Sequence, residues 1–125
     1  MNHNPLQTAT LKVDAATIRA YAELTDDFNP IHLDPEFAAT TPLGGVIAHG
    51  TLSVCLLWQA LFRSFGEQAF DGLDLDIRFV KPVRIGETLL AGGEPTGTDG
   101  GYGVWVRGDD GSDRVVGTLR PAVVR

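Results

Sequence analysis

Apolar and polar residues alternate from Leu73 to Phe79, with Leu73, Leu75, Ile77 and Phe79 on one side and Asp74, Asp76 and Arg78 on the other. A period of two marks a strand with one face on a core and one in water. Runs of similar character predict further strands at 8–13, 87–90, 102–107 and 114–119, and Asp109-Asp110-Gly111 supplies a hairpin turn between the last two. Helical spacing appears earlier in the chain. Asp14 can cap a helix on which Ile18, Tyr21 and Ala22 share one face, and this helix should end near Thr25. Pro30 disfavours helix at Asn29, so 26–32 is expected to be a shaped loop, and Pro35 suits the first turn of a short helix over 35–40. Past the turn residues Pro42, Gly44 and Gly45, the run 51–62 is apolar on almost every face, which predicts a helix buried nearly all round. One buried helix followed by antiparallel strands is an α+β pattern in which a sheet wraps the helix.

No repeat, low-complexity tract or linker divides the 125 residues, although 92–103 reads as loop-rich, so a single domain over 1–125 is expected. The net charge of −6 repels a nucleic-acid backbone, and no stretch gathers the Lys/Arg cluster such binding requires. An anionic small molecule needs only a few cations, and Arg63, Lys81, Arg84, Arg107 and Arg120 are available. The single cysteine, Cys55, lies in an apolar run, reads as a core residue and forms no intrachain disulfide, which points to a reducing, cytoplasmic setting. The first residues lack a basic stretch followed by an apolar one, and Gln59, Arg63 and Ser64 interrupt the longest apolar segment, so neither export nor membrane spanning is expected.

Asp27, Asn29 and His32 fall within six residues on the expected loop. A histidine near its ordinary pKa exchanges protons at neutral pH, and a neighbouring carboxylate can orient a water molecule beside it. The same residues are also common turn chemistry. A second element, Gly44-Gly45-Val46-Ile47-Ala48-His49-Gly50, runs straight into the apolar helix. The first backbone N–H groups of a helix lack intrahelical partners, so Gly50 can offer an amide to a developing enolate oxygen, or can simply ease entry to the helix. His49 reads either as a hydrogen-bonded structural residue or as a substrate contact. Leu57 and Trp58 are candidate substrate contacts, and Trp58 can equally fill core. The histidines and Cys55 have no metal-ligand spacing, so no metal is expected.

Taken together, Tyr21-Ala22-Glu23-Leu24-Thr25-Asp26-Asp27-Phe28-Asn29-Pro30-Ile31-His32-Leu33-Asp34 and Val46-Ile47-Ala48-His49-Gly50 resemble the signature of the MaoC-like, (R)-specific enoyl-CoA hydratases. The segment from Arg78 to Glu87 resembles a strand-turn-strand stretch of the same family, so the likeness covers roughly 8–123. The resemblance implies a hot-dog fold, a long central helix wrapped by an antiparallel sheet, assembled as a homodimer or higher homo-oligomer. It implies that Asp27 and His32 hold and activate water, that Asn29 supports them, and that the Gly50 amide binds the thioester oxygen. The implied reaction is reversible addition of water to a trans-2-enoyl thioester of CoA or acyl carrier protein, giving a (3R)-3-hydroxyacyl thioester, with no cofactor beyond the substrate's own carrier. A hot-dog thioesterase is the leading rival. Many resemble one another in carrying an acidic residue on or beside the central helix, whereas 51–65 holds no Asp or Glu. A noncatalytic acyl-thioester binder is the third reading.

Overall fold

The computed structural model describes residues 4–97 and 100–121; His3, and Thr98 and Asp99 of the expected 97–103 turn, lie outside them. Among the described residues, five antiparallel strands form one sheet: β1 (Ala9–Lys12), β2 (Leu73–Phe79), β3 (Thr88–Pro95), β4 (Tyr102–Arg107) and β5 (Asp113–Pro121). Their order is β1-β3-β4-β5-β2. Three helices, α1 (Ala15–Thr25), α2 (Pro30–Leu33) and α3 (Pro35–Ala39), precede the long α4 (Gly50–Phe65), and a 3-10 turn at Gly66–Phe70 leads into β2. The architecture is the α+β arrangement that the hydrophobic pattern predicts.

Local chemistry explains the early boundaries. The Asp14 carboxylate accepts from the Thr17 N–H at 2.8 Å and opens α1. Asp26 closes that helix in the left-handed region, at φ 55°. Helix α4 packs against β1, β3 and β4. Leu52, Leu56, Leu57, Ala60 and Leu61 join Leu89, Val104, Val106, Val115 and Leu119 in one buried cluster. Each fully buried leucine there contributes about 1.5–3 kcal/mol relative to an exposed one.

Three expectations need correction. Strand β3 does not end at Leu90 but continues through Gly92 and Gly93, because these glycines let neighbouring groups approach. A Cβ on Gly92 would sit 2.7 Å from the Trp105 ring, and one on Gly93 would sit 2.6 Å from the Gly103 carbonyl oxygen. Helix α4 is not buried all round: Thr51, Gln59, Phe62 and Cys55 are exposed, so Cys55 is not a core residue. The sheet covers only one side of the helix. Phe79, at the end of an edge strand, is 56% exposed rather than on the core face.

The 79–87 segment is held to both layers. Val80 N–H donates to Arg114 O, Ala48 N–H to Val83 O and Ile85 N–H to Val46 O. Beneath it the buried Arg114 guanidinium pairs with Glu87 at 2.5 Å and with Asp110 at 3.3 Å. Hydrogen bonds from the Ser112 backbone N–H and hydroxyl, with Arg114 nearby, hold the exposed Asp110 carboxyl down at about 2 against an ordinary 3.8.

Two measurements check this account. Gly93→Ala should lower unfolding stability by about 1–3 kcal/mol in urea titration, because the added methyl meets backbone on the partner strand. Asp110 titrates lower in the folded chain, so its contribution to stability is complete above pH 3.8 and is lost as the pH falls through about 2. Asp110→Asn should therefore flatten the acid limb of the stability curve between those values and leave the limb above pH 5 unchanged in slope.

Candidate active site

The left-handed turn at Asp26 redirects the chain, and the Asp27 N–H closes on Ala22 O at 3.0 Å. Asp27 then accepts from the Asn29 N–H at 3.3 Å, while the Asn29 side-chain oxygen accepts from the Ile31 N–H at 3.0 Å. Asn29 is thus the N-cap of α2, with Pro30 at its first position. The expected loop is in part a single helical turn, and this turn carries His32. Asn29 reaches the site through that cap, its oxygen being committed to the backbone.

The His32 turn docks on the segment that enters α4. Ile47 N–H donates to Ile31 O at 3.3 Å, and His32 Nδ1 lies 2.8 Å from Ile47 O. A carbonyl only accepts, so His32 Nδ1 carries the proton and Nε2 keeps its lone pair in the neutral ring. His49, the N-cap of α4, is 3% exposed and has Nε2 3.0 Å from Asp27 O, which places its proton on Nε2. Its Nδ1 has no partner among the described residues. The two imidazoles stack with centroids 3.9 Å apart and planes inclined by 26°. His49 accordingly ties the Asp27 backbone to the start of α4 and backs the His32 ring.

Tyr21 completes the group. Its ring meets His49 edge-on at 5.1 Å and its hydroxyl donates to Thr51 Oγ1 at 2.7 Å. Burial pushes the phenol above its ordinary 10.0, and the nearby Asp27 charge adds to the shift. The sequence shows Tyr21 only as an inward-facing helix residue, because nothing local in 15–25 reveals that its hydroxyl reaches α4.

Asp27, His32 and His49 each offer one ligand atom, and these lie within 4.8 Å of one another. They come together in space with no metal-like spacing in sequence. The trio is a conceivable cation site in donor chemistry, but one nitrogen of each ring is already committed to a carbonyl, and the same spacing accommodates a water molecule.

A cleft of ≈340 Å³ opens beside His32. Gly50 and Ser53 from α4, Ile47 and Ala48 before it, and Phe79 and Val115 from the sheet are among its walls. Gly50 is the first residue of α4, so its N–H has no acceptor four residues back. Lys81 also lines this cleft, and Arg84 lines an adjoining recess that Lys81 and Pro82 share. Lys81 donates to Ser112 Oγ and Arg84 to Leu43 O from these positions, while Arg63 bonds Thr8 O and Arg107 pairs with Asp113 and the Trp105 face away from both recesses. Arg120 is exposed and lines neither recess. The structure therefore gathers Asp27, His32, His49 and Gly50 but leaves Leu57 and Trp58 out of the cleft. Leu57 continues the Gly50–Ser53 face of the helix but is fully buried in the core, and Trp58, turned about 100° further, packs half-buried against that core. Ser53 and Phe79 were not singled out from the sequence, although Ser53 interrupts an otherwise apolar stretch.

Comparison with known proteins identifies the family. The family model described as "MaoC like domain" matches residues 1–109. The (R)-specific enoyl-CoA hydratase of Aeromonas caviae is 39% identical over 82 residues, 66% of this chain and 61% of the relative. The 3-hydroxybutyryl-CoA dehydratase of Methylorubrum extorquens is 36% identical over 78 residues, 62% of this chain and 50% of that protein. These matches thus span between half and two thirds of each relative's length. The solved structure of an (R)-hydratase from A. caviae involved in PHA biosynthesis superposes with a TM-score of 0.76, at 26% identity and 97% coverage of each chain. The fold is a hot dog, and the chain belongs to the family of MaoC-like domains.

Proposed function

We propose that this chain is a hydratase that adds water to trans-2-enoyl thioesters and yields (3R)-3-hydroxyacyl thioesters, with the reverse dehydration accessible. The observation that carries the reading is the locked His32 ring: its Nδ1 proton is committed to Ile47 O, leaving Nε2 as a base. The ring adjoins the Asp27 carboxylate and a cleft that starts at Gly50. The hydratase and dehydratase names of the relatives point the same way.

In the forward direction water lies between Asp27 and His32. The Asp27 carboxylate accepts a hydrogen bond from one water hydrogen and orients the oxygen toward C3. His32 Nε2 takes the other hydrogen as a proton while the oxygen bonds to C3, and the C2–C3 π electrons move toward the thioester as an enolate. The proton on Nε2 then passes to C2 on the same face. One water is consumed, no redox change occurs, and the ring returns to its starting state. The Gly50 N–H opposes the negative charge that gathers on the thioester oxygen, where a preorganised donor has its greatest effect. A hydrolytic reading is less well supported, because α4 carries no carboxylate from Gly50 to Phe65.

Substrate phosphates are assigned to the Lys81 side of the cleft, where Lys81 lines the cleft and Arg84 the adjoining recess. We further propose a homodimer. The outer side of α4 exposes Thr51, Cys55, Gln59 and Phe62, the last at 47%, on a helix whose composition favours burial. An exposed free thiol at Cys55 fits a reducing, cytoplasmic setting. Among the described residues, no helix is long and apolar enough to cross a membrane.

Mixing the purified protein with crotonyl-CoA and octenoyl-CoA should bleach the enoyl-thioester absorbance and give the 3R product. Asp27→Asn and His32→Gln should each lower kcat by about 10²–10⁴-fold while remaining folded by circular dichroism. Release of free CoA would instead indicate hydrolysis, and near-normal turnover in either variant would remove that residue from the mechanism. Sedimentation at micromolar concentration should give twice the 13.4 kDa chain mass; a monomer would refute the dimer.

A further inference from the structure

Ser53 is 2% exposed, lines the cleft with Gly50 and His32, and its hydroxyl makes no hydrogen bond to any described residue. The Ser53 oxygen is not one of the fully enclosed polar atoms left unpaired, so it opens on the cleft, where a hydroxyl is matched by a ligand or a water. A mid-helix serine can turn its hydroxyl back to the carbonyl four residues earlier, as Ser64 does to Ala60 O at 2.7 Å, but among the described residues no such bond joins Ser53 to His49 O. The hydroxyl is left for the cleft.

We infer that the Ser53 hydroxyl is a second donor to the thioester oxygen, acting beside the Gly50 N–H; the inference rests on the hydratase reading above. Helix geometry supports it. Ser53 is three residues beyond Gly50, on the same face, with its Cα about 4.5 Å further along the axis. Helical side chains tilt toward the N-terminus, so a hydroxyl at 53 lies over the first turn, where Gly50 has no side chain to obstruct it. The Gly50 N–H emerges at that same end. Across the gap the Phe79 ring comes so close that a methyl carbon on Gly50 would sit 3.2 Å from its Cε1. Glycine and serine thus border a narrow slot with two N–H/O–H donors on one wall and an aromatic ring on the other.

The chemistry has a use for both donors. As water adds to C3, charge accumulates on one oxygen, which accepts two hydrogen bonds readily, and a donor fixed in place needs no reorganisation in the transition state. The bond strengthens as the enolate forms, so its loss should appear in kcat rather than KM.

The test compares wild type, Ser53→Ala and Ser53→Cys. Hydration of crotonyl-CoA is followed together with the Raman carbonyl band of bound butyryl-CoA labelled with ¹³C at the thioester carbon. Loss of one oxyanion donor typically costs about 10²–10³-fold in kcat, so Ser53→Ala should lose at least about 10-fold with KM within a few-fold of wild type. The carbonyl band should move to higher wavenumber in both variants, because a weaker hydrogen bond leaves a stiffer C=O bond. Turnover within about twofold of wild type, or a large loss with the band unmoved, would overturn the assignment, the second by showing that the residue acts through packing. If wild type binds butyryl-CoA but does not hydrate crotonyl-CoA, the hydratase reading fails on its own, and the carbonyl band alone still decides whether Ser53 faces the thioester.

Discussion

The short segment Val46–His49 is the element on which the site depends, and the constraint it imposes is a matter of backbone hydrogen bonding. Ile47 uses its N–H on Ile31 and its carbonyl on the His32 ring, while Ala48 donates to Val83. One extended stretch therefore joins the helical turn that bears His32, the segment that walls the cleft and the start of the central helix. Backbone groups in this position must be paired, since leaving one buried and unmatched costs about 1–3 kcal/mol. Satisfying them sets the orientation of His32 and fixes which of its nitrogens carries the proton.

His49 turns that scaffold into a rigid one. It is buried, it stacks on His32, and through Nε2 it holds the Asp27 carbonyl. A partly satisfied buried imidazole is a cost to the fold, because Nδ1 finds no partner among the described residues. Beside it the rings of Tyr21, His49 and His32 pack in sequence, so that the His32 ring is backed by His49 on the side where they stack. Functional sites commonly retain such locally unfavourable features where surrounding contacts over-determine the geometry.

Two glycine-dependent approaches of different kinds shape the cleft and the sheet behind it. At Gly50 the absent side chain lets Phe79 lie over the helix start, which narrows the slot. At Gly92 and Gly93 it lets β3 run unbroken beneath Trp105 and beside Gly103, which keeps the sheet continuous behind α4. The sheet covers one side of α4 and leaves a partly apolar side bare, so the chain's own core is complete while its surface is not.

The one-dimensional pattern was enough for the α+β class, the central helix, the hairpin of β4 and β5, and the cap at Asp14, since each depends on residues a few positions apart. Asp27, His32 and Gly50 became candidates through two compact motifs and the family resemblance they carry, and the structure places Asp27 beside His32, which borders one cleft with Gly50. What required the tertiary structure was every relation between segments far apart in sequence. The glycines of β3 read as loop until Trp105 and Gly103 were seen to press on them. Leu57 and Trp58 read as pocket, and Cys55 as core, until the rotation of α4 against the sheet set which side of the helix is covered. The tautomer of His32, the tie from His49 to Asp27, the reach of Tyr21 to Thr51 and the exposure of Ser53 to the cleft span up to thirty residues or arise from a helix's orientation. Periodicity reports how much of a helix is apolar, but only packing decides which way each side chain faces.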